Sequence, residues 1–277
     1  KYDWTGALLA HSTDYIDYLG EHFYGYPNLA VDPATEEFVE AGDSLTDRVR
    51  RMPNKVQMKF EAWEEYLKRM PSLKGKNIKF AFDEWAPRNR PVSPASAAPA
   101  ADPMLNPMTN ALVYHEFFRH SDMVALAVAT GGMGTLATDA YGDPVGFRME
   151  GLVMKLLHDR FAGALPVAVT GDSPQRPIKG FVGVDMPETP SGSHTYPLDV
   201  FAALSADRKR LAVSVVNPAE TAQELALELT GARLGKGARL WRLTAPAMAA
   251  AAASGAARPG FGFGPPATMT ETSLAEA

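Results

Sequence analysis

The feature that most constrains this chain is a change of texture near residue 165. Before it, short apolar runs alternate with amphipathic stretches at helical spacing. After it, short β-like runs follow one another between Pro, Gly, Asn and Asp. The first pattern is that of parallel strands joined by crossover helices, and the second that of an antiparallel sandwich. The reading is therefore α/β followed by all-β, with one region at 1–165 and a second at 166–277.

In the first region Tyr15–Tyr24 is rich in aromatic and β-favouring residues and is bounded by Gly25 and Pro27, which predicts a strand. From Ser44 to Met70, Leu45, Val49, Met52, Val56, Phe60, Trp63 and Leu67 recur in steps of three and four, the period of an amphipathic helix. Pro53 is expected to divide that helix, because proline lacks the donor and clashes with the preceding turn. Asn77–Trp85 reads as a buried strand ending at Pro87, and 91–107 as a long proline-rich loop. A helix over Met108–His120, a strand over Met123–Ala129 and a helix over Met149–Phe161 complete the region. Three strands are too few for a closed (β/α)₈ barrel, which takes eight strands and about 250 residues.

In the second region strands are expected at Val167–Val169, Asp199–Ser205, Arg210–Asn217, Gln223–Leu229 and Ala238–Leu243. The run Glu224–Leu229 alternates as a half-exposed strand should. Met248–Ala253 and the Gly/Phe-rich stretch behind it carry no regular signal.

Composition removes several classes of function. With 32 acidic and 27 basic residues the formal charge is -5, against a nucleic-acid binder with its basic face. No apolar run reaches the ~18 residues that cross a membrane. There is no cysteine, hence no disulfide, thiol catalysis or thiolate metal site. The six histidines lack zinc-protease spacing, so a metal is not expected, and His115 and His120, on or at the end of a helix, read as structural. Gly131-Gly-Met-Gly has glycine content but not the spacing of a phosphate loop, and reads as a turn. Gly-x-Ser-x-Gly is absent. The first residue is Lys1 and no leader follows, which reads as a processed, truncated or partial chain.

The residues that could carry chemistry stand at two strand ends. Phe82-Asp83-Glu84-Trp85 places two acids at the end of an apolar run, where burial without partners is costly. Strict alternation would send Asp83 and Glu84 to opposite faces, one toward a pocket and the other toward a loop. A solvated strand terminus is the alternative. His22 and Tyr24 share a parity at the end of the first strand and can project toward one pocket. Parallel barrels keep their chemistry at that rim.

With these residues in place the sequence resembles the carboxyl-terminal part of a glycoside hydrolase family 51 α-L-arabinofuranosidase. The resemblance rests on Tyr15–Tyr24, Ile78–Trp85, Gly151–Leu157, Pro166–Gln175, Tyr196–Val200 and Ser214–Pro218. It implies the last strands, about the sixth to eighth, of a (β/α)₈ TIM barrel followed by an antiparallel β-sandwich, and a retaining glycosidase. By the same resemblance Glu84 is the nucleophile, His22 and Tyr24 orient it or bind sugar hydroxyls, and Trp85 is an apolar wall. The family's acid/base glutamate lies in a Gly-Asn-Glu motif, and this chain has no Asn-Glu dipeptide. The isolated chain is accordingly expected to be inactive on ordinary glycosides.

The sequence departs from the family at Ala127–Gly134, apolar and glycine-rich where polar rim residues are usual, and after Trp85, where Ala86-Pro-Arg-Asn-Arg stands. Thr268–Leu274 resembles the segment preceding the family's last sandwich strand. The implied substrate is an arabinose-containing plant polysaccharide or oligosaccharide, cleaved in exo fashion, with no cofactor. The implied partner is the N-terminal half of the same enzyme, a homo-oligomer being left open. Two alternatives stand: a related glycosidase of other sugar specificity or endo action, and a non-catalytic carbohydrate-binding or assembly module. Glu84 at the rim favours an enzyme over a module, as does the presence of only one Trp, Trp241, after residue 165. The compartment is left open, an extracellular or periplasmic one being preferred to the cytoplasm.

Overall fold

The computed structural model describes residues 3–25, 29–40, 43–87, 104–130, 135–173, 178, 187–233, 235, 237–244 and 269–274. The turn at 131–134, most of the proline-rich loop and the alanine and Gly/Phe stretches lie outside these residues.

Helix α1 (Trp4–Ser12) precedes strand β1 (Tyr18–Gly25). A small antiparallel pair, β2 (Leu29–Val31) with β3 (Phe38–Glu40), leads to helix α2 (Leu45–Arg69). Strand β4 (Lys79–Pro87), helix α3 (Leu105–Arg119) and strand β5 (Val124–Ala129) follow. Strands β1, β4 and β5 form a parallel three-stranded sheet in that order, as β-α-β-α-β alternation requires. The sheet does not close on itself among the described residues.

Helix α2 starts at Ser44, whose side-chain oxygen accepts from the Asp47 amide at 3.2 Å, a standard N-cap. Its buried stripe is Val49, Met52, Val56, Phe60 and Trp63, the residues picked out by periodicity. Leu67 is exposed, and Tyr66 takes the inward place, its hydroxyl donating to Asp3 Oδ1 at 2.5 Å. Pro53 does not divide the helix, which runs unbroken from Leu45 to Arg69. The missing donor costs one intrahelical bond to the Val49 carbonyl, about 3 kcal/mol by propensity. Burial of Val49, Met52, Pro53 and Val56 along the same face offsets that loss.

One face of the sheet is packed. Leu19 and Phe23 of β1 and Phe80, Phe82 and Trp85 of β4 meet Met52, Val56, Phe60 and Trp63 of α2 and Val113 and Phe117 of α3. The opposite face carries Tyr18, Gly20, His22, Asp83, Leu126 and Val128 and is open. Parallel sheets are ordinarily covered on both faces, so this open face is unusual.

Helix α3 begins at Leu105, so the last residues assigned to the loop are helical. Strands β6 (Leu136–Thr138) and β7 (Pro144–Phe147) form a hairpin before helix α4 (Met149–Phe161), whose limits are those predicted. A second core joins Val49, Leu105, Ala111, Leu112, Val153, Leu157 and Val216, from three helices and the end of a later strand, Leu211–Val216.

Beyond α4, β8 (Leu165–Pro166), β9 (Asp199–Leu204) and β10 (Leu211–Val216) make an antiparallel sheet with β9 central. Strands β11 (Ala238–Arg242) and β12 (Thr270–Leu274) pair separately. The segment expected to precede a final strand is therefore itself a strand. Two expectations fail here. Val167–Val169 lies outside the ladder apart from one bond, from the Val167 amide to the Ala202 carbonyl at 3.0 Å. Gln223–Leu229 pairs with nothing among the described residues, and Leu225, Leu227 and Leu229 are exposed. Alternation sets which residues share a face of an extended chain, but a strand also needs a neighbour to bond.

Candidate active site

The carboxyl end of β4 is not a regular strand. Along β1, Gly20 pairs with Ala81 and His22 with Glu84, two steps against three. Along β5, Phe82 pairs with Ala127 and Trp85 with Ala129, three steps against two. Both neighbours thus place one surplus residue in β4 between Phe82 and Trp85. This is a β-bulge, and it breaks the alternation of faces at Asp83-Glu84.

The bulge brings both acids to the open face, correcting the expectation that they diverge. Asp83 Oδ2 lies 3.3 Å from His22 Nε2, and Glu84 Oε2 lies 3.5 Å from His22 Nδ1. One imidazole lies between two neighbouring carboxylates. The side chains of His22 and Asp83 are about half exposed, at 54% and 53%, and that of Glu84 is 38% exposed. Gly20 lies beside Asp83 on this face, where a Cβ would come 3.7 Å from Asp83 Oδ1, an ordinary contact distance.

Tyr24 lies on the same side of β1, two residues on, and its hydroxyl donates to Thr130 Oγ1 at 3.4 Å. Its carbonyl accepts from Lys55 Nζ of α2 at 2.7 Å, tying the strand end to the helix. Glu21 turns to the other face and pairs with Lys59 of α2 at 2.5 Å. The cluster of His22, Tyr24, Asp83 and Glu84 therefore sits at the carboxyl ends of adjacent parallel strands, where ligand sites of such sheets are found.

Trp85 does not join it. The bulge returns Trp85 to the helix-facing side, where it is 0% exposed, stacked on Phe23 at 6.2 Å and edge-on to Tyr114 and Phe117. The expectation of an apolar wall for sugar is corrected: Trp85 is core. It anchors the strand just behind Glu84.

A second polar constellation escaped the sequence reading. His115 Nδ1 faces Asp199 Oδ2 at 3.0 Å, and His115 Nε2 faces Ser214 Oγ at 2.7 Å. Burial lowers His115 from its ordinary value, against the pull of Asp199, so the ring is neutral, with Nδ1 donating to Asp199 and Nε2 accepting from Ser214. Asp199 is pushed up by burial, but Arg119 and the His115 bond outweigh this and hold it well below the carboxylate range. Asp199 also accepts from Arg119 Nη2, from the Ser193 amide and from the Ser193 hydroxyl. The order Ser-His-Asp is that of a hydrolase triad. However, His115 is wholly buried, and Asp199 is already saturated by the cation and by Ser193. The constellation fastens α3 to β9 and β10, and nothing in its sequence spacing announces it.

Among the described residues no group of three or more His, Asp or Glu side chains is placed to hold a metal ion, and no helix is long and apolar enough to cross a membrane.

The sequence matches no protein-family model and no curated protein. Solved structures do match. The α-L-arabinofuranosidase of Thermotoga maritima, determined as an arabinose complex, superposes over 98% of this chain and 51% of its own, with a TM-score of 0.61 and 22% identity. The chain resembles the C-terminal part of a family 51 arabinofuranosidase. A second arabinofuranosidase structure gives 0.62 and 21% over 98% of this chain and 52% of that one. The family 51 arabinofuranosidase of Xanthomonas axonopodis pv. citri gives 0.53 and 15% over 86% and 43%. The chain thus spans about half the length of these structures. At such identities the likeness is one of fold, of mixed α/β character.

Proposed function

We propose that this chain carries the nucleophile half of a retaining α-L-arabinofuranosidase, an enzyme that releases terminal arabinofuranosyl residues from arabinose-containing polysaccharides or oligosaccharides. The observation that carries the reading is the bulge of β4, which sets Glu84 beside His22 on the open face at a strand-end rim. In a retaining mechanism one carboxylate attacks the anomeric carbon and forms a glycosyl-enzyme intermediate. The second carboxyl, about 5 Å away, protonates the departing oxygen and later activates water. Glu84 takes the first role. His22 and Tyr24 orient it or bind sugar hydroxyls.

The second carboxyl belongs on another wall. No Asn-Glu dipeptide occurs in the sequence, and the open face with exposed Leu126 and Val128 calls for a cover. The division into a barrel portion at 1–165 and a sandwich at 166–277 belongs to this reading, with the N-terminal half of the same enzyme as the covering polypeptide. The arabinofuranosidase resemblance supports that assignment through fold alone.

The test is mechanism-based labelling of the natural polypeptide bearing this sequence. A 2-deoxy-2-fluoro arabinofuranoside with an activated leaving group slows release of the intermediate and lets it be trapped. The expected result is one added glycosyl mass on the peptide containing Glu84. Turnover of arabinofuranosides with the label on another residue, or no turnover and no label, overturns the proposal.

A further inference from the structure

We infer that Asp83 is a positioning residue that acts on Glu84 through His22. The inference rests on the nucleophile reading of Glu84 and goes beyond it, since that reading gives Asp83 no part. In an unbroken strand Asp83 would face away from Glu84. The surplus residue in β4 abolishes that alternation and leaves adjacent acids on the two ring nitrogens of a single histidine, at 3.3 Å and 3.5 Å. The glycine at position 20 lies against Asp83 on the same face, where a side chain would meet Asp83 Oδ1 at ordinary contact distance.

The chemistry of the imidazole explains what this geometry accomplishes. A histidine with one ring nitrogen held by a carboxylate has its ring plane and the aim of its other nitrogen fixed. A neutral ring carries a single N–H, so the two contacts act together in the imidazolium form, in which the Nε2 proton faces Asp83 Oδ2 and the Nδ1 proton faces Glu84 Oε2. In that form Asp83 fixes the ring, and the ring restrains rotation of the Glu84 carboxylate. Competing acids are turned away: Glu21, beside His22 in sequence, is taken up by Lys59 on the far face of β1. Tyr24, the other polar side chain on this stretch of β1, is engaged by Thr130.

Two measurements separate this inference from the reading beneath it. In the natural polypeptide, Asp83→Asn, His22→Gln and the double variant are compared on an aryl arabinofuranoside. Asp83→Asn is expected to lower kcat about 10–100-fold, as loss of a partner that orients a functional histidine does, with KM within about twofold. The double variant is expected to be no slower than His22→Gln alone, because Asp83 acts only through that ring. Additive losses, a rise in KM at unchanged kcat, or unchanged kinetics in Asp83→Asn overturn the inference.

In this chain itself, long-range ¹H–¹⁵N correlation spectra of His22 report which ring nitrogen is engaged, whether or not any glycoside is cleaved. The Nε2 signal is expected to move in Asp83→Asn and the Nδ1 signal in Glu84→Gln. A His22 ring pattern indifferent to Asp83→Asn overturns the inference on its own. A polypeptide inactive on every arabinofuranoside, with the His22 signals responding as expected, defeats the glycosidase reading instead.

Discussion

Asp199 and His115 face one another at 3.0 Å with both side chains sealed from solvent, although 84 positions of sequence separate them. Asp199 opens the central strand of the antiparallel sheet, and His115 lies in the helix that crosses the parallel one. Around them Arg119 bridges Glu116 and Asp199, and the Gly192 amide donates to Glu116 at 2.7 Å. Arg50 of α2 donates to the carbonyls of Ser191, Pro197 and Leu198. The junction between the two sheets is therefore polar and buried, with Asp199 and Glu116 answered by Arg119 and Arg50 met by backbone carbonyls.

Such a junction punishes the loss of one member. Asp199→Ala leaves His115 Nδ1 and two Ser193 donors without their acceptor and removes one of the two carboxylates on Arg119. The expected cost is about 3–5 kcal/mol, the range for breaking a buried ion pair from one side. Urea unfolding followed by circular dichroism checks it. A loss under about 1 kcal/mol would mean that the network contributes little to folding.

The same junction makes stability depend on pH. Burial holds the folded-state value of His115 below its ordinary one, while the unfolded chain takes up a proton near 6.5. Its contribution is thus present above about pH 6.5 and is lost as the pH falls, by at most about 1.4 kcal/mol per unit. His120, also lowered by burial, acts in the same direction. Glu116, raised by burial, acts in the opposite one, so the decisive quantity is a difference between variants. Between pH 7.5 and 5.5 the thermal midpoint of His115→Gln is expected to fall less steeply than that of the parent. Parallel slopes would remove His115 from the account.

Close backbone approach supplies a third expectation. A Cβ on Gly151, in the first turn of α4, would stand 2.1 Å from the Thr135 carbonyl oxygen and 2.9 Å from its carbon. That carbonyl is held by the Arg148 amide at 2.8 Å and has no free rotation with which to withdraw. Gly151→Ala is expected to destabilise by about 1–3 kcal/mol through overpacking. Gly235→Ala meets nothing within 4 Å and serves as the comparison, with a change within about 0.5 kcal/mol. Equal midpoints in calorimetry for the two variants would contradict the contact.

What the sequence made legible, and what it hid, divides along the range of the forces involved. Helix α4 and the stripe of α2 were readable because their period is local, and so was the parallel arrangement implied by β-α-β order. The bulge at Asp83-Glu84 was not. Its cause lies in the registers with β1 and β5, which no single strand records. Trp85 was misplaced because its role as an apolar wall came from the resemblance, whereas the bulge turns its side chain into the core. Pro53 misled because propensity counts the lost bond and not the face buried around it. Glu224–Leu229 misled because alternation was present without a partner. His115 was read as structural on its helix, but its partners Asp199 and Ser214 could not be named without the fold.

Glu84 itself gives the most direct prediction. A nucleophile differs from a residue that merely binds sugar in that its amide cannot form the glycosyl ester at all. In the natural polypeptide, Glu84→Gln is expected to lower kcat by about 10⁴-fold or more, the scale on which enzymes lose a nucleophile, with little change in folding. The side chain is 38% exposed and its partner His22 is half exposed, so the substitution disturbs no core. For the isolated chain the expectation differs: no useful rate on ordinary glycosides, because general acid assistance typically contributes about 10²–10⁴-fold and the open face provides no opposing wall. Steady-state assays on the two preparations, with the melting curve of Glu84→Gln beside that of the parent, decide the matter. A Glu84→Gln polypeptide that still turns over arabinofuranosides within about tenfold of the parent would move the nucleophile elsewhere, and efficient hydrolysis of ordinary glycosides by the isolated chain would require an acid among the residues described here.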